Sequence, residues 1–196
     1  MNRRLRALHP RNWLELSSPV TLGFAGLSLL ALLLAWFTSG ASNRALFMVY
    51  RSSPASALFY LRLFLHVLGH ASFAHYAANM ALLLVLGPLV EQQFGGLRLA
   101  IMMLVTALVT GLVHLLLSPG AAVLGASGIV FMLILLSAAA GRQRGKIPLT
   151  LLLVALIYLG QELASLFRAD QVSQLAHLIG GLCGLAFGLA SQPRRA

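Results

Sequence analysis

The stretch Ala121 to Leu136 reads AAVLGASGIVFMLILL. Gly125-Ala126-Ser127-Gly128 stands at the head of an apolar run that carries no charge as far as Ala140. A helix from Ser127 to about Gly141 rises only about 21 Å. A bilayer's hydrocarbon core is about 30 Å thick, so such a helix falls short of one face. The preceding segment, SPGAAVLGA from Ser118 to Ala126, is short of helix formers. It follows an apolar run that ends near Leu117, and the two runs cannot both reach the outer surface as helices. The connector is therefore expected to dip into the membrane. Irregular backbone is tolerated at depth only where it is buried in protein or lines a watery cavity. A cavity is expected beside Ser127, whose hydroxyl can serve as a helix cap, a packing group or a nucleophile.

The composition supports the membrane setting assumed in that argument. Of 196 residues, 59% are hydrophobic and 9% charged, and the mean hydropathy is +0.88. A soluble domain carries about 25% charged residues. The chain is read as an all-α integral membrane protein with one membrane domain. Six segments approach the length of about 20 apolar residues that a spanning helix needs. They lie at about 19–38, 72–92, 97–117, 127–141, 148–166 and 172–191, and the fourth is short. On this reading residues 1–18 form a basic cytoplasmic N-terminus, 19–191 the membrane domain and 192–196 a cytoplasmic tail. The opening MNRRLRALHPRN, with Ser39-Gly40-Ala41 further on, resembles a signal peptide and its cleavage site. The run from Val20 to Phe37 is longer than a usual signal core, so it is read as a retained helix. The net charge of +10 lies in short clusters between apolar runs, which favours lipid headgroups over nucleic acid as partner. Cys183 is the single cysteine and forms no internal disulfide.

Six spans place Arg3, Arg4, Arg6, Arg11, Arg98, Arg142, Arg144, Lys146, Arg194 and Arg195 on one side. Arg44, Arg51, Arg62 and Arg168 fall on the other, spread over longer segments. Basic residues concentrate in cytoplasmic loops, so both termini are expected in the cytoplasm. The connector from 39 to about 71 carries Tyr50, Phe59, Tyr60, Leu61, Phe64 and Leu65, and is expected to lie partly in the membrane interface.

Ionisable and polar groups inside spans are functional candidates, because they are costly there. His75 and Asn79 stand in the second span, Glu91 at its inner end, His114 in the third, Glu162 in the fifth and His177 in the sixth. Helical rise places Ser127, His177 and Asn79 about 21, 22 and 20 Å from the cytoplasmic ends of their spans. That is about 10 Å below the outer face. A hydroxyl, an imidazole and an amide at one depth suit nucleophilic acyl transfer. Ser127 attacks a carbonyl, and His177 takes its proton and returns it to the leaving amine. The head of a helix favours a developing oxyanion. His75 and Asn79, four residues apart on one helix face, can both donate to it. Glu91 and Glu162 lie at other depths, so the site is read as a Ser-His dyad. Each piece alone has a plainer meaning. Gly-x-Ser-Gly before a helix is an ordinary loop and N-cap, and a membrane histidine can be an interhelical hydrogen bonder. Gly180, Gly184 and Gly188 form a small-residue ladder, read as helix packing that would draw the sixth span close. His66, His70 and His75 invite a metal reading. An H-E-x-x-H zinc site needs Glu after the first His, whereas Val67 and Ala71 follow His66 and His70. No metal and no cofactor is expected.

Taken together, these residues resemble the rhomboid family of intramembrane serine proteases, over about residues 55–190. HASFAHYAAN, His70 to Asn79, is similar to the family's second-span motif. GASG is similar to its nucleophile motif, and AHLIGGLCG, Ala176 to Gly184, to its sixth-span motif. Arg62 and Glu91 match positions with structural roles in bacterial members. The resemblance implies a six-transmembrane-helix rhomboid bundle with a re-entrant loop before a short fourth helix. It implies Ser127 as nucleophile, His177 as base, and His75, Asn79 and the Ser127 N–H as oxyanion donors. Gly125 and Gly128 would permit the tight loop and close packing. The fifth span and the loop after it resemble a lateral gate for a substrate helix. Two departures are visible. Phe131 stands where many bacterial members have a tyrosine that stacks on the catalytic histidine, and the long loop reads Leu61-Arg62 rather than Trp-Arg.

The expected function is hydrolysis of peptide bonds in or near transmembrane segments of other membrane proteins, in a prokaryotic cytoplasmic membrane. Substrates should carry small or helix-destabilising residues at the cut, since an intact helix hides its carbonyls in hydrogen bonds. An inactive, binding-only relative would usually lack the serine or the histidine, and both are here. A specialised form that trims one type of C-terminal anchor is compatible with a short chain. A transporter would show inverted repeats and a polar path across the bilayer. No repeat is seen, and the polar residues cluster in one half.

Overall fold

The computed structural model describes residues 17–140, 149, 152–154, 156–157, 160 and 172–191. The described residues fold into helices, with no strand among them. The helices are α1 (Pro19–Phe37), α2 (Ala57–Leu65), α3 (Phe73–Phe94), α4 (Gly96–Leu117), α5 (Ser127–Ala140) and α6 (Val172–Ala190), with a π-helical turn at Asn43–Phe47. Helices α1, α3 and α4 are long and apolar enough to cross a membrane, while α5 and α6 are shorter apolar helices. Residues 152–154 and 156–157 are helical, and most of the segment expected at 148–166, with Glu162, lies outside the described residues. So do the basic N-terminus, Arg142, Arg144, Lys146, Arg168 and the basic tail.

Local chemistry sets the helix ends. Pro19 opens α1, whose proline nitrogen needs no partner. Thr38, Ser39 at φ +49° and Gly40 at φ +81° close it. Ser72 caps α3, its hydroxyl accepting the His75 N–H at 3.1 Å. Gly95, at φ +88°, ends α3 and caps α4 in one residue, a conformation that favours glycine. The buried face of α1 is Thr21, Ala25, Ser28, Ala31 and Ala35, a stripe of small residues at helical spacing. It meets α3 at Gly87, where an added methyl group would lie 2.7 Å from the Thr21 hydroxyl.

The core is built around α5. Ile129, Met132, Leu133 and Leu136 are wholly buried, and the burial continues around the helix from Ile129 to Ala139. A helix apolar on every side belongs inside a bundle rather than at its edge. Helix α6 lies along α5, α3 packs on another side of α5, and α4 contacts both α5 and α6. The outward faces of α1, α3 and α4 carry exposed leucines and aromatics, among them Trp36, Phe37, Leu89, Leu97 and Leu116. That is the surface of a membrane protein, with lipid as the surrounding solvent. The connector expected in the interface contains α2, whose Tyr60, Leu61 and Phe64 are exposed while Arg62 and Leu63 are buried.

Candidate active site

The site lies where α5 begins. Val130 donates to the Ala126 carbonyl at 2.9 Å, so Ala126 is the cap and Ser127 the first helical residue. The amides of the first turn, that of Ser127 included, have no carbonyl one turn back within the helix. Gly125 precedes the cap at φ +132°. An added methyl there would sit 2.8 Å from His75 Cε1 and 2.9 Å from His75 Nε2, so the His75 ring edge lies against this glycine. Both the backbone angle and the crowding demand glycine.

Helix α6 reaches the same place through its glycines. A methyl group on Gly180 would fall on the Gly128 carbonyl, and one on Gly184 on the Met132 carbonyl. The Gly128 position itself would crowd the Ala176 carbonyl at 3.3 Å. The two backbones therefore touch along a seam, as expected for small residues at four-residue spacing. On that seam the Phe131 ring stacks on His177, with centroids 4.6 Å apart and planes at 4°. Phe131 is one turn beyond Ser127 on α5, so the contact fixes His177 at the level of the α5 head. Ser127 and His177 are both half-buried.

Helix α3 brings the other two candidates. The Asn79 side chain is buried, and its Nδ2 donates to the His75 carbonyl at 3.0 Å, which leaves its second amide hydrogen available. His75 Nδ1 accepts a long contact from the Ala71 N–H at 3.5 Å. With Nδ1 accepting, the ring proton sits on Nε2, the edge turned toward Gly125. Behind His75 lies His70, fully buried, in edge contact with the His75 ring at 5.0 Å and with Tyr76 at 5.5 Å. His70 Nδ1 donates to the Leu68 carbonyl at 3.1 Å, and the His70 carbonyl accepts Asn43 Nδ2 at 3.0 Å. Burial, with the His75 ring beside it, pushes the His70 imidazole down to about 4, so it is neutral at physiological pH. A cleft of about 850 Å³ opens beyond His70, between the end of α1 and the turn at 70–73. No grouping of three His, Cys, Asp or Glu suited to a metal ion occurs among the described residues.

A family model described as the Rhomboid domain matches residues 57–194. The chain belongs to the rhomboid family. Rhomboid-family proteins are membrane proteins and usually intramembrane serine proteases. A comparison with curated proteins returns no match. Within this rhomboid chain, Arg62 and Glu91 have contacts that the sequence did not spell out. Arg62 Nε donates to the Ala45 carbonyl at 3.0 Å and its guanidinium lies 4.4 Å above the Tyr50 ring, so it ties the connector onto α2. Glu91 accepts the N–H groups of Val20 and Thr21 at 3.0 and 2.9 Å and the Thr21 hydroxyl at 2.8 Å. It thus caps α1 from a different helix, at the far end of the bundle from Ser127.

Sequence reading assigned no role to His114. Its Nε2 lies 3.0 Å from the Ala121 carbonyl, inside the connector that leads to Ser127. The signal was slight: a ring donor in the last turn of a span, beside a connector whose backbone carbonyls need partners from outside a helix.

Proposed function

We propose that this rhomboid is an intramembrane serine endopeptidase that cuts membrane proteins in or near their transmembrane segments. The reading rests above all on the stack of Phe131 against His177, one turn along α5 from Ser127. Phenylalanine in place of tyrosine keeps that ring contact without the hydroxyl. In the proposed reaction Ser127 Oγ attacks the scissile carbonyl while His177 takes the hydroxyl proton. The carbonyl oxygen becomes an oxyanion and is held by the Ser127 N–H, His75 Nε2–H and the Asn79 amide. The tetrahedral intermediate collapses as His177 returns the proton to the leaving nitrogen, releasing an amine and leaving an acyl ester on Ser127. Water, deprotonated by His177, then attacks the ester. The second collapse frees the new carboxyl group and restores the serine. No metal or cofactor is required by these steps.

The same reading supplies the architecture around the site. It takes six spans within 19–191, flanked by a basic segment at 1–18 and a tail at 192–196. The connector 118–126 is a re-entrant loop, and water reaches Ser127 from the outer side of a prokaryotic cytoplasmic membrane. The fifth span and the loop after it admit the substrate helix sideways. The test is a fluorophosphonate probe on protein purified in detergent, with the adduct read by intact-mass spectrometry. Wild type should gain one adduct, while Ser127→Ala and His177→Ala, both folded, should gain none. A folded wild type that stays unlabelled would overturn the dyad and turn attention to a rhomboid-like protein that binds membrane proteins without cutting them.

A further inference from the structure

The connector 118–126 has no regular structure of its own, yet its backbone is held at three points. Val123 exchanges both hydrogen bonds with Val49, at 2.9 Å each. The Gly125 N–H donates to the His66 carbonyl at 2.9 Å. The Ala121 carbonyl lies 3.0 Å from His114 Nε2, and because a carbonyl can only accept, that nitrogen carries the proton. The first two points use backbone on both sides. The third depends on a side chain, His114, which is 1% exposed in the last turn of α4. One turn earlier on the same face of α4, Thr110 Oγ1 lies 3.4 Å from His66 Nε2. His66 approaches α4 at Gly111, where an added methyl would be 3.3 Å from its Cε1. One face of α4 therefore supports the connector twice, directly through His114 and indirectly through His66. Five residues after Ala121 comes the Ala126 cap, and then Ser127.

We propose that His114 is a positioning residue for the nucleophile. Its Nε2–H fixes the Ala121 carbonyl, and thereby sets where the connector delivers Gly125, the α5 cap and the Ser127 N–H. A half-buried carbonyl released from this side-chain donor would seek another partner, and the connector would shift with it. Displacements of about 1 Å at a reacting group cost about a hundredfold in rate. The catalytic consequence rests on the protease reading, whereas the clamp itself does not.

Three measurements test it. Nitrogen-15 NMR of histidine-labelled wild type, assigned by the signals lost in His114→Gln, should find His114 protonated on Nε2 and bare on Nδ1. The opposite tautomer overturns the clamp without any appeal to activity. Hydrogen–deuterium exchange should rise across 119–126 in His114→Leu, which fills the space without a donor, and stay near wild type in His114→Gln, whose amide N–H can reach the same carbonyl. The fluorophosphonate labelling rate should fall about tenfold to a hundredfold in His114→Leu and recover to within about threefold in His114→Gln. Unchanged exchange in His114→Leu, or equal loss in both variants, overturns the proposal. If wild type itself fails to label, the protease reading fails while exchange and tautomer still decide the clamp. If His114→Leu does not fold, the tautomer together with exchange in His114→Gln decides it.

Discussion

Asn79 sits one turn beyond His75 on α3, and its amide has one hydrogen committed to the His75 carbonyl at 3.0 Å. The second hydrogen is the one the proposed chemistry uses, on an oxyanion that exists only after Ser127 has attacked. Removing it should leave substrate binding alone and slow the chemical step. Asn79→Ala is expected to lose about a hundredfold to a thousandfold in kcat, with KM little changed, as measured on a cleavable transmembrane substrate. A loss confined to KM would instead place Asn79 in substrate binding. Ser127, His177, His75 and Asn79 stood out as candidates because a polar group within an apolar run is conspicuous and needs a reason. His114 was equally conspicuous but stayed without a role. Its partner is the carbonyl of Ala121, and nothing in a residue's identity marks its carbonyl.

At the scale of elements, periodicity and punctuation carried most of the reading. The expected spans 19–38, 72–92 and 97–117 stand beside helices Pro19–Phe37, Phe73–Phe94 and Gly96–Leu117. The spans at 127–141 and 172–191 stand beside Ser127–Ala140 and Val172–Ala190. Helix α2 and the turn at Asn43–Phe47 were not read, because nine and five residues are too few for a periodic pattern to declare itself. Nor could the sequence show that Glu91 closes α1 from seventy residues away. The carboxylate satisfies two orphan amides and a hydroxyl in a buried place, where charge-assisted hydrogen bonds are strongest. Glu91→Gln keeps the shape but replaces one accepting oxygen with a donor that faces donors. It should destabilise the bundle by about 1.5–3 kcal/mol, read as a lower unfolding midpoint in detergent. The labelling rate of the folded fraction should not change, because the cap lies at the far end of α3 from the site. An unchanged midpoint would show that α1 does not depend on this cap.

For the whole molecule, the helices define two ends but not which of them faces the cytoplasm. One end gathers the start of α1, Glu91, Gly95 and Arg98. The other gathers Asn43, Arg62, His70, the head of α3, the connector 118–126 and Ser127. Only the charge pattern orients them: ten basic residues are expected at the first end and four at the second. Short basic loops stay on the cytoplasmic side, so the Ser127 end should face outward. Gly120 offers a clean probe, since it is exposed in the connector and an added side chain meets nothing within 4 Å. With Cys183→Ala removing the native thiol, Gly120→Cys should react with a membrane-impermeant maleimide in intact cells. A cysteine replacing Ser191 should react only after lysis. The reverse pattern would turn the bundle over and open the site to the cytoplasm, so that substrates would be cut near their inner ends. Labelling of both positions in intact cells would contradict the three spans expected between them, since an odd number must leave them on opposite sides. The six-span count, which rests on the segment at 148–166 crossing once, would fail with it.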